Sequence, residues 1–322
     1  MNPQILDSAF IQAKATGFVE GLLIIRNGLI VKQKYYNGYD AWQPHHIMSV
    51  SKSFLSVITG IAFEQDYLNS LNEKVLDYFP EYIYPDMDTR KYDITIQHLL
   101  TMRMGIQGEA DNDYGVYQNL YHSENWIRST IEMPLLSNPG ERMRYNTFET
   151  HLLSAIITKA TQQSTLDFAN ENLFEPMGID CDYWEQDPQG YYFGGTSMYF
   201  TPQEMALLGY MYLNEGRLND IQIVPADWVE LTLAPSTNNL HPIEWGALKN
   251  YNYAWLWWLG QINEHDLFMG LGYAGQYVIV FPKLNLIIVA TAHQDVNPDT
   301  ANSQELTVLD IIADYIIPSI IE

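Results

Sequence analysis

Ser49 and Lys52 stand three residues apart in "HIMSVSKSF", at the head of an apolar run. In a helix beginning near Ser49, the lysine lies one turn along on the same face, so its amine approaches the serine hydroxyl. That pairing suits an activated nucleophile, a hydroxyl that attacks a carbonyl while a neighbouring base takes its proton. A helix start also offers unpaired N–H groups and the positive end of the helix dipole to the oxyanion formed on attack. For Lys52 to act as the base near neutrality, its pKa would have to fall from about 10.4 to near 7, through burial or neighbouring positive charge. Phe54, Leu55, Val57 and Ile58 supply apolar surroundings. The tetrad alone is weak evidence, since ordinary Ser and Lys usage gives a chance S-x-x-K in about half of chains this long.

Two further stretches carry residues of the right type. In "NPGERMRYNTFETHLLSAII", Tyr145 follows a Pro-Gly turn and the basic pair Arg142 and Arg144, and precedes a helical pattern. A tyrosine near cations can serve as a phenolate base or proton relay, and the competing reading of Tyr145 is a packing residue. In "GLGYAGQYVIVF", Gly270, Gly272 and Gly275 are expected at the head of a strand, where missing side chains let a backbone approach a ligand. The N–H of Tyr273 is the candidate second oxyanion donor there, against a glycine-rich strand start with no role.

The elements that must position these groups fall into two kinds. "GLLIIRNGLIVKQKYY" predicts two strands joined by an Asn27-Gly28 turn, and "YNYAWLWWLG", "YAGQYVIVF" and "LNLIIVATA" predict three more near the other end, the last two turned by Pro282-Lys283. Between them, "SFLSVITGIAFEQ", "TIQHLLTM", "HLLSAIITKATQ" and "TPQEMALLGYMYLNEG" have apolar residues at helical spacing. "SQELTVLDIIADYII" predicts a closing helix capped by Ser303 and ending before Pro318. The expected architecture is an α/β lobe from both chain ends, 1–46 and 243–322, with a mainly helical lobe, 47–242, inserted between them and a site in the cleft. Tyr253, Trp255 and Trp257, alternating along their predicted strand, are expected to be core rather than pocket lining.

Composition removes whole classes of function. The 322 residues carry 16 Lys and Arg against 39 Asp and Glu, a net charge of −23, which repels phosphate backbones and anionic membrane surfaces. Nucleic acid and membrane are therefore not expected as partners. Cys181 is the only cysteine, so no intrachain disulfide forms, and the opening "MNPQILDSAFIQAK" has no leader-like basic or apolar region. As written the protein is expected in the cytoplasm, or in an exported compartment if a leader was trimmed. His98 and His151 fall inside helical segments and are expected to be structural, while the pair His45-His46 precedes the nucleophile helix. No histidine shows HExxH or other tight ligand spacing, so neither metal nor cofactor is expected. Nothing in the sequence sets the oligomeric state.

Taken together, "SVSK", "ITIQHLLTMRMGI", "PGERMRYNTFETHLLSAI", "GGTSMYFTPQEMALLGYMYLNEG" and "GYAGQYVIVFPKLNLIIVAT" resemble the serine β-lactamase-like family of class C β-lactamases, DD-peptidases, family VIII esterases and 6-aminohexanoate-oligomer hydrolases. The resemblance runs through nearly the whole chain, and the order of its segments is more specific than any one of them. It implies a β-lactamase/transpeptidase-like fold, an antiparallel sheet flanked by terminal helices with a helical lobe across the cleft. It also implies Ser49 as nucleophile, Lys52 as its partner, Tyr145 at the head of the tyrosine motif, and an oxyanion hole from the N–H groups of Ser49 and Tyr273.

Two departures from the family pattern bear on substrate. Penicillin-recognising members carry Tyr-x-Asn, whereas this chain has Tyr145-Asn146-Thr147, a hydroxyl in place of an amide. They also carry Lys-Thr-Gly or His-x-Gly on the later strand, whereas "FMGLGYAGQ" has no cation to meet a substrate carboxylate. Thr147 and Gly272 are therefore candidate substrate-binding positions, and β-lactamase activity is expected to be weak. The leading expectation is a serine hydrolase acting through an acyl-enzyme on small esters or amides. The alternative is a weakly active or inactive penicillin-binding-type sensor.

Overall fold

Asn27 and Gly28 both take positive φ, 53° and 75°, and close the hairpin between β1 (Val19–Arg26) and β2 (Leu29–Tyr35). The right-handed twist of paired strands favours this kind of two-residue turn. The computed structural model describes residues 1–112, 115–234 and 244–320. The expected lobe boundary at 242/243 lies outside the described residues.

Five further strands complete an antiparallel sheet: β3 (Lys249–Tyr253), β4 (Trp258–Ile262), β5 (His265–Gly272), β6 (Gln276–Phe281) and β7 (Leu286–Ala292). Their order is β2-β1-β7-β6-β5-β4-β3, so the first hairpin joins the C-terminal strands through the β1–β7 pair. Chain ends that are far apart in sequence thus share one sheet.

Three sequence expectations are corrected here. "YNYAWLWWLG" is not one strand but two, β3 and β4, because the chain reverses at Ala254–Trp257 with Leu256 at φ 65°. Ser53 and Ser56 hold that bend by donating to the carbonyls of Leu256 and Trp255, both at 2.9 Å. The glycines at 270, 272 and 275 do not head β6: the first two end β5, and the third sits in the β5–β6 turn. The closing helix begins at Pro298, not after Ser303, because Asn297 caps it by accepting the N–H of Thr300. Its regular part ends at Ile311, and a wider turn, Ile312–Ile316, precedes Pro318.

Both faces of the sheet are covered, which is why β6 and β7 are buried throughout and mainly apolar. Tyr277, Ile279 and Phe281 face the terminal helices α1 (Pro3–Thr16) and α5 (Pro298–Ile311), packing with Phe10, Val308 and Leu309. The alternate residues Val278, Val280, Ile287 and Val289 face a larger core shared with α2 (Ser51–Glu64), α3 (Thr147–Thr161) and α4 (Pro202–Leu213). Period-two alternation within one strand therefore divides its side chains between two cores. Tyr253, Trp255 and Trp257 are buried in the larger one. Among the described residues no helix is long and apolar enough to cross a membrane.

Candidate active site

The chain reaches Ser49 through a strained turn. His45–His46 pairs with Tyr199–Phe200, Met48 takes φ 51°, and Met48–Val50 forms a single 3-10 turn before α2 begins at Ser51. The helix thus starts two residues later than the spacing suggests, and Ser49 sits on its lead-in. Positive φ at a residue other than glycine is costly and persists only where the surroundings hold it. Here the surroundings are the β5 glycines: a Cβ on Gly272 would stand 2.5 Å from the Ile47 oxygen, and one on Gly270 would stand 3.1 Å from Val50 Cγ1 and Ser53 Oγ. The close backbone approach expected at these glycines is that of the turn bearing Ser49. Tyr273, next after Gly272, enters the β5–β6 turn beside it and donates its phenol to Val296 O at 2.8 Å.

Lys52 lies in the first turn of α2 with its side chain inside the protein. Its Nζ is 2.8 Å from Ser49 Oγ, 3.0 Å from Thr147 Oγ1 and 2.7 Å from Gly195 O, and 4.7 Å from the centre of the Tyr145 ring. Burial lowers its pKa to about 7, partly opposed by the charge of Glu109. Burial of an ammonium in low dielectric disfavours the charged form, so both forms are accessible near neutrality. A neutral amine has two N–H groups and one lone pair. Since Gly195 O can only accept, one N–H goes there, and a second given to Thr147 Oγ1 leaves the lone pair facing the Ser49 hydroxyl.

Tyr145 and Thr147 come from the start of α3, where Asn146 caps the helix by accepting the Phe148 N–H at 2.8 Å. The Tyr145 ring is held edge-on by Tyr253 at 5.8 Å and stacked by Trp258 at 6.0 Å. The structure therefore brings Ser49, Lys52, Tyr145 and Thr147 together, with Gly272 and Tyr273 beside the turn bearing Ser49.

Sequence reasoning passed over Gly195 and Glu109 at this site, and it singled out the His45-His46 pair only by its place before the nucleophile helix. Gly195 supplies a carbonyl to Lys52, and a Cβ on it would stand 2.4 Å from Thr147 Cγ2, so only glycine lets this loop touch α3; the Gly194-Gly195 pair was its signal. Glu109 is buried and accepts the Thr147 N–H at 2.6 Å. His46 accepts the Ser197 N–H at 3.0 Å and meets Thr196 Oγ1 at 3.2 Å, which fastens the loop carrying Gly195. Burial lowers the His46 pKa to about 4, so the ring is neutral and its Nε2 is free to accept. Its neighbour His45 turns instead to Glu20 and Thr291. His151 bonds Asp187 at 2.9 Å, and His98 completes a capping box with Thr95. Among the described residues no three His, Cys, Asp or Glu side chains converge as a metal site requires. A cavity of about 380 Å³ lined by Tyr212, Asp227, Glu230 and Phe268 lies elsewhere and includes none of the residues around Ser49.

Comparison with known proteins gives the same overall picture of the fold. A family model described as Beta-lactamase matches residues 8–311. The chain is similar to 6-aminohexanoate-dimer hydrolase of Paenarthrobacter ureafaciens, 23% identical over 296 residues, covering 87% of this chain and 74% of that protein. Among solved structures it superposes on EstCE1, a hydrolase with promiscuous acyltransferase activity, with a TM-score of 0.75 at 16% identity, covering 96% and 99% of the two chains. It also superposes on the octameric penicillin-binding protein homologue from Pyrococcus abyssi, with a TM-score of 0.71 at 19% identity, covering 98% and 79%.

Proposed function

This chain belongs to the beta-lactamase family and is a serine hydrolase of that family, and we propose that it hydrolyses small esters or amides through an acyl-enzyme on Ser49. The observation that carries the reading is the buried Lys52 amine, 2.8 Å from the Ser49 hydroxyl and with a pKa of about 7. A general base works best when its pKa lies near the working pH.

In this mechanism Ser49 Oγ attacks the substrate carbonyl while its proton passes to Lys52, with Tyr145 relaying it to the leaving group. The N–H groups of Ser49 and Tyr273 hold the developing oxyanion. Water then attacks the acyl group, and the same base removes its proton.

The substrate class follows from what faces the nucleophile. β5 and its turn carry no lysine or histidine between Phe268 and Gln276, so no cation there meets the carboxylate of a β-lactam or peptide. The similarity to an aminohexanoate-dimer hydrolase and to EstCE1 supports an amidase or carboxylesterase. The test is turnover and intact mass with a p-nitrophenyl acyl ester, an aminohexanoate dimer and a β-lactam, with Ser49→Ala as control. Ester or amide turnover that disappears in the variant supports the reading. No adduct and no turnover with any of the three would replace it with that of a ligand-binding sensor.

A further inference from the structure

We propose that Gln304 and Glu305, neighbours on α5, are positioning residues of this site: together they set the peptide planes of the β5–β6 turn, and so the aim of the Tyr273 N–H at the oxyanion. The inference rests on the hydrolase reading above and deepens it. It assigns the support of the second oxyanion donor to a helix on the face of the sheet opposite α2.

The first three peptide planes after Gly272 are each held by hydrogen bonds. A trans peptide is flat, and its N–H and C=O point opposite ways, so a bond on one side aims the other. In the first plane Gly272 O accepts the Gly275 N–H at 3.3 Å, which turns the Tyr273 N–H away from Gly275. In the second, the Ala274 N–H goes to Glu305 Oε1 at 2.9 Å, and Tyr273 O accepts from Gln276 Nε2 at 3.4 Å. In the third, Ala274 O accepts from Gln304 Nε2 at 2.9 Å, and the N–H is the one given to Gly272 O. The third plane thus closes back on the first, and α5 side chains hold the second and third.

Without those side chains the turn has reason to relax. Ala274 takes φ 64°, a left-handed conformation that is costly for a residue with a Cβ and persists only where its surroundings hold it. Gln304 is buried, the polar member of an inward face otherwise made of Ala301, Val308, Leu309 and Ile311. A buried amide is costly unless its hydrogens find acceptors, and Gln304 places both, on Ala274 O and on His293 O at 2.7 Å. Glu305 accepts through a carboxylate oxygen or through the carbonyl oxygen of its neutral acid, so the clamp holds in either protonation state. Packing a terminal helix on the sheet needs none of these bonds, since Val308 and Leu309 already pack with Tyr277 and Ile279.

The contact of Gly272 with Ile47 O fixes where the turn leaves β5, and α5 fixes how it points. An oxyanion donor works only within hydrogen-bond reach of the place where charge develops. A tilt that moves the Tyr273 N–H by about 1 Å is enough to weaken it.

The experiment compares wild type, Glu305→Met, Gln304→Met, Glu305→Gln and Glu305→Asp. It measures kcat/KM with the ester or amide that wild type turns over best, and Ki for a trifluoromethyl ketone of the same acyl group, both per site counted by fluorophosphonate labelling. Wild-type turnover and labelling that Ser49→Ala abolishes test the hydrolase reading separately; without them that reading fails, and the positioning role falls with it. Given turnover, Glu305→Met and Gln304→Met keep side-chain length but lose the bonds to Ala274. Each is expected to lower kcat/KM about tenfold and to raise Ki by the same factor, part of the roughly 10²–10³ lost when an oxyanion donor is removed outright. Glu305→Gln, whose amide oxygen still accepts the Ala274 N–H, should recover most of the loss. A merely structural clamp would lower the melting temperature and the number of sites but leave kcat/KM and Ki per site unchanged, and that result overturns the proposal. An equal loss in Glu305→Gln and Glu305→Met also overturns it. If circular dichroism finds the methionine variants unfolded, Glu305→Asp, one methylene shorter than the reach to Ala274 requires, decides by the same two readings.

Discussion

Gly272 and Ile47 face each other so closely that a methyl group on the glycine would stand 2.5 Å from the isoleucine carbonyl oxygen, and 2.9 Å from Met48 Cβ. The turn that presents Ser49 therefore rests directly on β5 backbone. Gly272→Ala is expected to push the turn off the sheet, costing about 1–3 kcal/mol of stability and a larger share of activity. Gly270→Ala, whose new methyl would meet only atoms at 3.1 Å, should cost less on both counts. Melting curves beside kcat/KM for the two variants check this, and equal effects would contradict it.

Lys52 is the group whose protonation should govern the rate on the acid side. Activity requires the neutral amine, so kcat/KM should rise with pH through a midpoint near 7, where burial holds its pKa. Lys52→Arg keeps a cation but cannot lose its proton, so it should reduce turnover by about a thousandfold. A profile flat from pH 5 to 9 in wild type would contradict the assignment.

Tyr145→Phe separates packing from chemistry. The ring contacts with Tyr253, Trp258 and the Lys52 amine survive the change, so the melting temperature should hardly move. Loss of the phenol should lower kcat by about 10²–10⁴-fold, the usual contribution of a proton-transfer group. A variant with wild-type kcat would return Tyr145 to a packing role.

Glu305 gives a prediction about stability. Its carboxyl on α5 accepts the Ala274 N–H at 2.9 Å, while the neighbouring Gln304 donates to Ala274 O, so α5 holds both ends of one residue in the β5–β6 turn. Burial raises the Glu305 pKa to about 7, opposed by the bond from Ala274. Because the folded value lies above the unfolded one, the stability linked to this proton is complete below about pH 4 and is lost as pH rises through 7. Relative to Glu305→Gln, wild type should lose about 3 kcal/mol between pH 4.5 and pH 8. Urea denaturation of both proteins across that range measures the difference, and parallel curves would refute it.

The parts of this molecule legible in the sequence are those fixed by short-range rules. Asn27-Gly28 specifies a turn by its own backbone preferences, and Ser49 and Lys52 meet because the 3-10 turn runs straight into α2 and keeps residues three apart on one side. The β3–β4 reversal was hidden because Ala254-Trp255-Leu256-Trp257 contains no turn-forming residue. Serines on α2 hold it in place across the core. Asn297-Pro298 is a local helix start, but polar residues follow it, and the apolar pattern begins only further along α5. Glu109 had no local signal at all. In a chain with 39 acidic residues, nothing near it in sequence distinguishes it from a solvated carboxylate, and only the tertiary fold sets it against Thr147.

The pairing of β1 with β7 also fixes an order of events during synthesis. Ser49 and Lys52 leave the ribosome early, whereas the groups they and their helix meet come later: Thr147 and Gly195 at Lys52, and Trp255 and Leu256 at the serines of α2. The glycines on which the serine's turn rests come much later, and the sheet that carries them closes only when β7 reaches β1. Contacts this distant along the chain form slowly, because the intervening loop must first be closed. A nascent chain therefore carries Ser49 without the strand on which its turn rests for most of its translation, and that support arrives only when the sheet closes.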